Sequence, residues 1–159
     1  VEREPEPLAW REQPLGPQHL EACLALDRSG LGGLWNHQQW QSELGDPRRP
    51  GVGLWRAGAL LALASGWLVV DELHVTAVVV APTWRRRGLG RRALEALLET
   101  GRRQGAERAT LEVAAGNSAA RALYAALGFQ EAGIRRHYYR NGDDGLIGWL
   151  DLRPQPGCG

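Results

Sequence analysis

The chain has 159 residues and a net charge of +1, nineteen cationic side chains standing against eighteen carboxylates; all nineteen are arginine, and lysine is absent. That composition excludes chemistry needing a lysine ammonium, such as a Walker phosphate lysine, a Schiff base or a lysine general base, and the near-neutral balance argues against a protein that wraps duplex nucleic acid. No apolar run approaches the ~20 residues of a membrane span, the acidic, proline-containing start is unlike a signal peptide, and Cys23 and Cys158, near opposite ends of the chain, read as thiols of a reducing cytoplasm.

Residues 1–7 and 153–159, rich in Pro, Gly and charge, are expected as loose tails around a single domain over 8–152. Gly16-Pro17 opens a helix carrying Leu20, Cys23, Leu24 and Asp27, with a stop near Gly30. A second helix starts at Asn36, where Asn36 and Gln39 form a capping box and Trp35 and Trp40 stand at hydrophobic-staple spacing; Gly45 and Pro47 end it. Residues 52–56 and 59–70 read as strands joined through Ala57-Gly58, and 73–80 as a third, β-branched strand. The period then changes: Leu89, Ala93, Leu94, Leu97 and Leu98 follow helical spacing to about Gln104. A strand over 108–114, a helix over 118–127 and strands over 129–139 and 146–152 complete a mixed α/β sheet.

Strand 73–80 leads through Ala81-Pro82-Thr83-Trp84 into Arg85-Arg86-Arg87-Gly88-Leu89-Gly90-Arg91-Arg92 and then a helix. Five arginines surround a helix start whose dipole already carries about +0.5 charge, which is unfavourable unless an anion sits there. Phosphate suits it, with Gly88 and Gly90 letting backbone N–H groups approach. The plainer alternative is a solvated basic turn. Gly88-Leu89-Gly90-Arg91-Arg92-Ala93 also satisfies a dinucleotide-binding G-x-G-x-x-A, with Glu112 about 20 residues on. However, the loop between Val80 and Gly88 is too long for that turn, and too few βαβ units follow.

Leu111-Glu112-Val113 puts a carboxylate on the opposite strand face from its apolar neighbours. Asn117-Ser118-Ala119-Ala120-Arg121-Ala122-Leu123-Tyr124-Ala125-Ala126-Leu127-Gly128-Phe129 follows, with an N-cap asparagine and a C-terminal glycine. Taken alone, Glu112 could be a surface residue, Tyr124 a core aromatic, and the two helix ends ordinary caps.

Together these residues resemble the GNAT superfamily of acetyl-CoA-dependent N-acetyltransferases. Arg85-x-x-Gly88-x-Gly90 is similar to its pyrophosphate loop, and Asn117 through Phe129 to its N-x-A-A-x-x-L-Y-x-x-x-G-F segment. The resemblance covers about 15–152 and implies a mixed, mostly antiparallel seven-stranded sheet with about four helices, splayed between strands four and five. Leu111-Glu112-Val113 with Asn117, Gly133 through Tyr139, the Asp143-Asp144 turn and Leu34-Trp35 look most like the members that acetylate the N-terminal alanine of a small-subunit ribosomal protein. Ala81 and Ala114 depart from that pattern, which bears on peptide selectivity more than on acetyl transfer.

The resemblance implies direct attack of a neutral amine on acetyl-CoA in a ternary complex. Val78 and Val80 would hold the acetyl and pantetheine amides; Arg85, Arg86, Arg87, Gly88, Leu89, Gly90 and Arg91 would take the pyrophosphate; Asn117 would touch the pantetheine arm. Glu112 maps onto the general base, with partial burial expected to raise its pKa, and Tyr124 onto the general acid. An α-amine of pKa about 7.7–8.0 demands less of such a base than a lysine at about 10.4. Leu34 and Trp35 would form one wall of a peptide groove. Tyr138 and Tyr139, expected on a strand and so on opposite faces, would supply the other through one ring. His19, His37, His74 and His137 lack metal-ligand spacing, so no metal is expected. The implied partner is the N-terminal segment of a small-subunit ribosomal protein in the cytoplasm, with no nucleic acid or membrane contact and a monomer or weak dimer as the working form. A small amine or lysine side chain as acceptor, and a non-catalytic acyl-CoA-binding module, remain as alternatives.

Overall fold

Alternating apolar residues pair into one sheet in the computed structural model, which describes residues 9–154. The strands are β1 (Arg11–Pro14), β2 (Gly51–Arg56), β3 (Ala59–Val69), β4 (Glu72–Val80), β5 (Arg108–Ala114), β6 (Gln130–Arg135) and β7 (Gly145–Asp151). The helices are α1 (Leu20–Leu31), α2 (His37–Gly45), α3 (Leu89–Arg103) and α4 (Ser118–Ala126), with short 3-10 turns at Pro17–His19 and Pro82–Trp84. The strand order is β1-β2-β3-β4-β5-β7-β6. Every pairing is antiparallel except β4 with β5.

That parallel pairing is brief. Only Glu72, Leu73 and His74 of β4 meet Arg108, Ala109 and Thr110 of β5. Beyond His74 the strands part, and β5 continues against β7. The expected splay is therefore a wedge-shaped cleft between the end of β4 and the end of β5.

Two apolar layers flank the sheet. Leu89, Ala93, Leu94, Leu97 and Leu98 of α3 pack with Leu54, Ala62, Ala64, Leu73 and Leu111, as their helical spacing requires. On the other side, Cys23, Leu24 and Leu26 of α1 and Trp40 of α2 pack with Leu63, Ala77 and Val79. The Asn36–Gln39 capping box forms as expected, and the Trp35 and Trp40 rings stack edge-on with centroids 4.8 Å apart.

Several boundaries differ from the sequence reading. β1, which the reading passed over, is a four-residue, largely exposed edge strand ending in proline, so it has neither a buried face nor strong strand propensity. Helix α1 does stop near Gly30, running one residue further to Leu31 and ending on left-handed Gly32. Gly30 is inside the helix because it lies against β4: a Cβ there would stand 2.6 Å from Val79 Cγ1 and 3.1 Å from the Val80 carbonyl oxygen. The strand expected over 129–139 ends at Arg135, where the backbone turns through His137 at φ 52°. Tyr138 and Tyr139 are thus in a turn, and the argument that strand alternation separates their rings does not apply. Residues 1–7, Cys158 and most of the expected C-terminal tail lie outside the described residues. Arg153 lies within them and binds Asp151 through its backbone N–H and its guanidinium.

Candidate active site

The wedge opens on a row of backbone groups. The Ala81 N–H donates to the Leu61 carbonyl at 2.8 Å, and β4 pairs antiparallel with β3 through Val78, Val79 and Val80. Hydrogen-bonded and non-hydrogen-bonded residues alternate along such a ladder. The N–H and C=O groups of Val78 and Val80 therefore point away from β3 into the cleft, while those of Val79 bond β3. Gly90, in the first turn of α3, closes this end: a Cβ there would lie 3.4 Å from Val80, 3.6 Å from Leu123 and 3.8 Å from Val78. The end of β4, the start of α3 and α4 thus converge.

Gly88 is the N-cap of α3, in left-handed geometry at φ 76° and with no side-chain cap. The first N–H groups of α3 receive no intrahelical partner, and open space surrounds Gly88. The five flanking arginines divide. Arg85 turns away and donates to the Gly30 carbonyl at 2.7 Å. Arg91 pairs with Glu95 one turn on, and Arg92 with Glu12 of β1. Arg87 lies over the Trp84 ring at 4.7 Å. Arg86, at φ 66°, makes no ion pair among the described residues. Arg86 and Arg87 are left with neither an ion pair nor a side-chain hydrogen bond among the described residues, beside the uncapped N–H groups, while Arg85 ties the turn to the end of α1. This uncapped, cationic turn next to outward-facing strand amides suits an acyl-CoA, whose pyrophosphate and pantetheine need those two kinds of partner.

Across the wedge, Glu112 stands on β5 opposite in direction to buried Leu111 and Val113. Its side chain is 32% exposed, and its carboxylate meets the Arg135 guanidinium at 3.4 Å. Tyr124 projects from α4, its ring 6.0 Å from that of buried Phe129. Burial raises its hydroxyl above the ordinary 10, and the neighbouring Tyr139 adds to the shift. Tyr139 is itself raised, first by burial, then by Glu112 and Tyr138. Its hydroxyl is therefore the one electrically close to both Glu112 and Tyr124. Tyr138 instead packs edge-on against Tyr139, centroids 5.1 Å apart, beneath the Arg135 guanidinium.

The Asp143-Asp144 turn holds this loop in place. The Tyr139 N–H donates to the Asp143 carbonyl at 3.1 Å and the Ala115 N–H to that of Asp144 at 2.9 Å, while the Asp144 carboxylate accepts from the His137 N–H. Asn117 caps α4 through its side-chain oxygen, 3.1 Å from the Ala120 nitrogen. The Leu34 and Trp35 backbone N–H groups donate to the Asp27 carboxylate, and the Trp35 ring packs against Trp40. Arg135, which falls within the Gly133 through Tyr139 segment, is the residue paired with Glu112; the sequence shows its type but not its partner. No group of three or more potential metal ligands occurs among the described residues, and no helix of the described residues is long and apolar enough to cross a membrane.

Residues 17–129 match the profile of the Acetyltransferase (GNAT) family. The chain is 46% identical over 125 residues to the [ribosomal protein bS18]-alanine N-acetyltransferase of Salmonella typhimurium, covering 79% of this chain and 84% of that one. It is 37% identical over 110 residues to the N-alpha-acetyltransferase RimI of Mycobacterium tuberculosis, covering 67% and 68%. Its fold superposes on the crystal structure of the ribosomal-protein-S18-alanine N-acetyltransferase from Escherichia coli with a TM-score of 0.85 at 31% identity, covering 95% of this chain and 99% of that one.

Proposed function

The chain belongs to the GNAT acetyltransferase family, and within it we propose an N-α-acetyltransferase of the RimI type. It transfers the acetyl group of acetyl-CoA to the N-terminal amine, alanine in the first instance, of a small-subunit ribosomal protein in the cytoplasm. The names of the relatives at 37–46% identity support that substrate class. The observation that supports the chemistry is the wedge between β4 and β5, with Glu112 on β5 and the Tyr124-bearing helix α4 meeting the end of β4 at Gly90.

Acetyl-CoA supplies an activated thioester, and the chain's residues hold and direct it. The cleft-facing amides of Val78 and Val80 hold the acetyl and pantetheine groups. The N–H groups from Gly88 to Arg91, with Arg86 and Arg87, take the pyrophosphate, and Asn117 borders the pantetheine arm. Glu112 receives the amine proton, through water, as the new C–N bond forms and the C–S bond breaks. An α-amine of pKa about 7.7–8.0 is partly neutral at pH 7 already, so a carboxylate relaying through water is base enough.

Tyr124 stabilises the departing sulfur by hydrogen bonding. A phenol near 10 giving its proton to a thiolate near 8.5 is uphill by ~2 kcal/mol at reference values, and burial of Tyr124 widens that gap. The hydroxyl therefore stays protonated and donates. Tyr139 lines the acceptor side near Glu112, Tyr138 shields it, and Leu34 and Trp35 form the opposite wall.

Thiol release from acetyl-CoA with a peptide beginning in alanine tests the reading. Turnover is expected, and the Glu112→Gln, Tyr124→Phe double variant should lose most of it while still binding acetyl-CoA. Unchanged turnover in that variant would refute the assignment.

A further inference from the structure

Asp27 is a carboxylate with no exposed surface and no ion pair among the described residues. Three N–H donors meet it: the Leu34 backbone at 2.7 Å on Oδ1, and the Trp35 backbone at 3.0 Å and Trp40 Nε1 at 2.8 Å on Oδ2. Its own carbonyl accepts from the N–H groups of Gly32 and Gly33. Five donors from the segment between α1 and α2 and from α2 thus converge on one residue.

Burying a carboxylate is costly, and an apolar residue of similar size in a core position is often at least as stabilising. What the carboxylate adds is direction, because two consecutive backbone N–H groups are fixed to one rigid point on a helix. The segment needs such a point. Gly32 and Gly33 both have positive φ, 75° and 94°, and glycine confers little stiffness of its own. The segment leaves α1 just where Gly30 abuts the Val80 carbonyl and Arg85 grips the Gly30 carbonyl, at the mouth of the wedge. Leu34 is left 45% exposed there. Cys23, one turn earlier, offers no competing chemistry: burial and the Asp27 charge push its thiol up to about 12.

We infer that Asp27 is the positioning residue of the acceptor groove, holding the backbone at Leu34 and Trp35 so that their side chains form its wall at the mouth of the cleft. The inference rests on the N-α-acetyltransferase reading above and assigns Asp27 no contact with the reacting atoms.

The test uses the full chain with Asp27→Asn and Trp40→Phe. Asparagine keeps the size but turns one acceptor into a donor facing donors. In Asp27→Asn, hydrogen-exchange protection at the Leu34 and Trp35 amides should fall, and KM for an alanine-first peptide should rise roughly tenfold, the range expected for hydrogen bonds to a charged group. The Kd for acetyl-CoA should stay at the wild-type value. Trp40→Phe removes one of the three donors with little loss of packing and should raise the peptide KM about two- to threefold. Unchanged protection at Leu34 and Trp35, or an acetyl-CoA Kd weakened as much as the peptide KM, would overturn the inference. So would a wild-type peptide KM in Trp40→Phe if Asp27→Asn fails to fold. No turnover by the wild-type enzyme on any free N-terminus would instead overturn the functional reading and this inference with it, even if the anchoring were seen by exchange.

Discussion

Gly30 of α1 lies so close to Val79 of β4 that a methyl group in place of its hydrogen would stand 2.6 Å from Val79 Cγ1. The same methyl would meet the Val80 carbonyl oxygen at 3.1 Å, one of the backbone groups that faces the cleft. Two effects compete in Gly30→Ala. Helix propensity favours alanine by about 1 kcal/mol, while overpacking a filled site costs about 1–3 kcal/mol. A branched valine and a strand backbone have little freedom to retreat, so the clash should win. Urea unfolding should show Gly30→Ala less stable than the parent, and its KM for acetyl-CoA should rise as the end of β4 shifts. A more stable variant would mean that the contact is looser than described.

Glu112→Gln should lower kcat by about 10²–10⁴, the range for a lost general base, with acetyl-CoA binding retained. The attacking amine is neutral and sheds a proton only as the C–N bond forms, so the deficit should not depend on how much of the free amine is protonated. Both rates should rise together through the α-amine range of about 7.7–8.0, with their ratio unchanged from pH 6.5 to pH 9. A ratio that shrinks toward pH 9 would argue that Glu112 instead strips the ammonium form before attack.

Tyr124 gives a prediction that reaches higher pH. Burial, with Tyr139 beside it, raises its hydroxyl above 10, so the protonated, hydrogen-bonding form persists through the whole working range. The advantage of wild type over Tyr124→Phe should stay constant from pH 7 to about pH 10, the ordinary tyrosine value, and decline only beyond it. A decline centred near pH 8.5 would indicate a depressed hydroxyl and an ordinary proton transfer to sulfur.

Much of this arrangement is legible in the residues themselves. The capping box of Asn36 and Gln39, the staple of Trp35 and Trp40, and the amphipathic leucines of α3 follow from local spacing, because each depends on neighbours within two turns. Glu112, Tyr124 and Asn117 were visible for a different reason, through motifs similar to those of the GNAT superfamily. What stayed hidden depends on long-range contact. The packing of Gly30 against β4, the bond from Arg85 to the end of α1 and the donors gathered on Asp27 all join residues far apart in the chain or buried by tertiary contact. Tyr138 and Tyr139 read as strand because the turn through His137 has no stronger sequence signature than the strand preceding it. The exposed edge strand β1 offered no burial pattern to find.

Loss of the cap at α2 should be measurable on its own. Asn36 Oδ1 accepts from the Gln39 N–H at 2.8 Å, and Gln39 Oε1 accepts from the Asn36 N–H at 2.9 Å. Asn36→Ala removes the first of these, leaving the backbone N–H at position 36 free to keep the second, and should cost about 1 kcal/mol in denaturant unfolding. Because the Asp27 anchor holds the preceding residues separately, kcat should be unaffected; a large fall in kcat would show that the cap, too, sets the reacting geometry.

The most direct measurement is where the acetyl group goes. A peptide with a free N-terminal alanine and one internal lysine, incubated with the enzyme and acetyl-CoA and mapped by tandem mass spectrometry, presents both kinds of amine at equal concentration. Acetylation at the alanine α-amine, with the lysine untouched and no reaction once the N-terminus is blocked, is the predicted result. Acetyl on the lysine side chain, at a rate matching or exceeding that at the N-terminus, would contradict it.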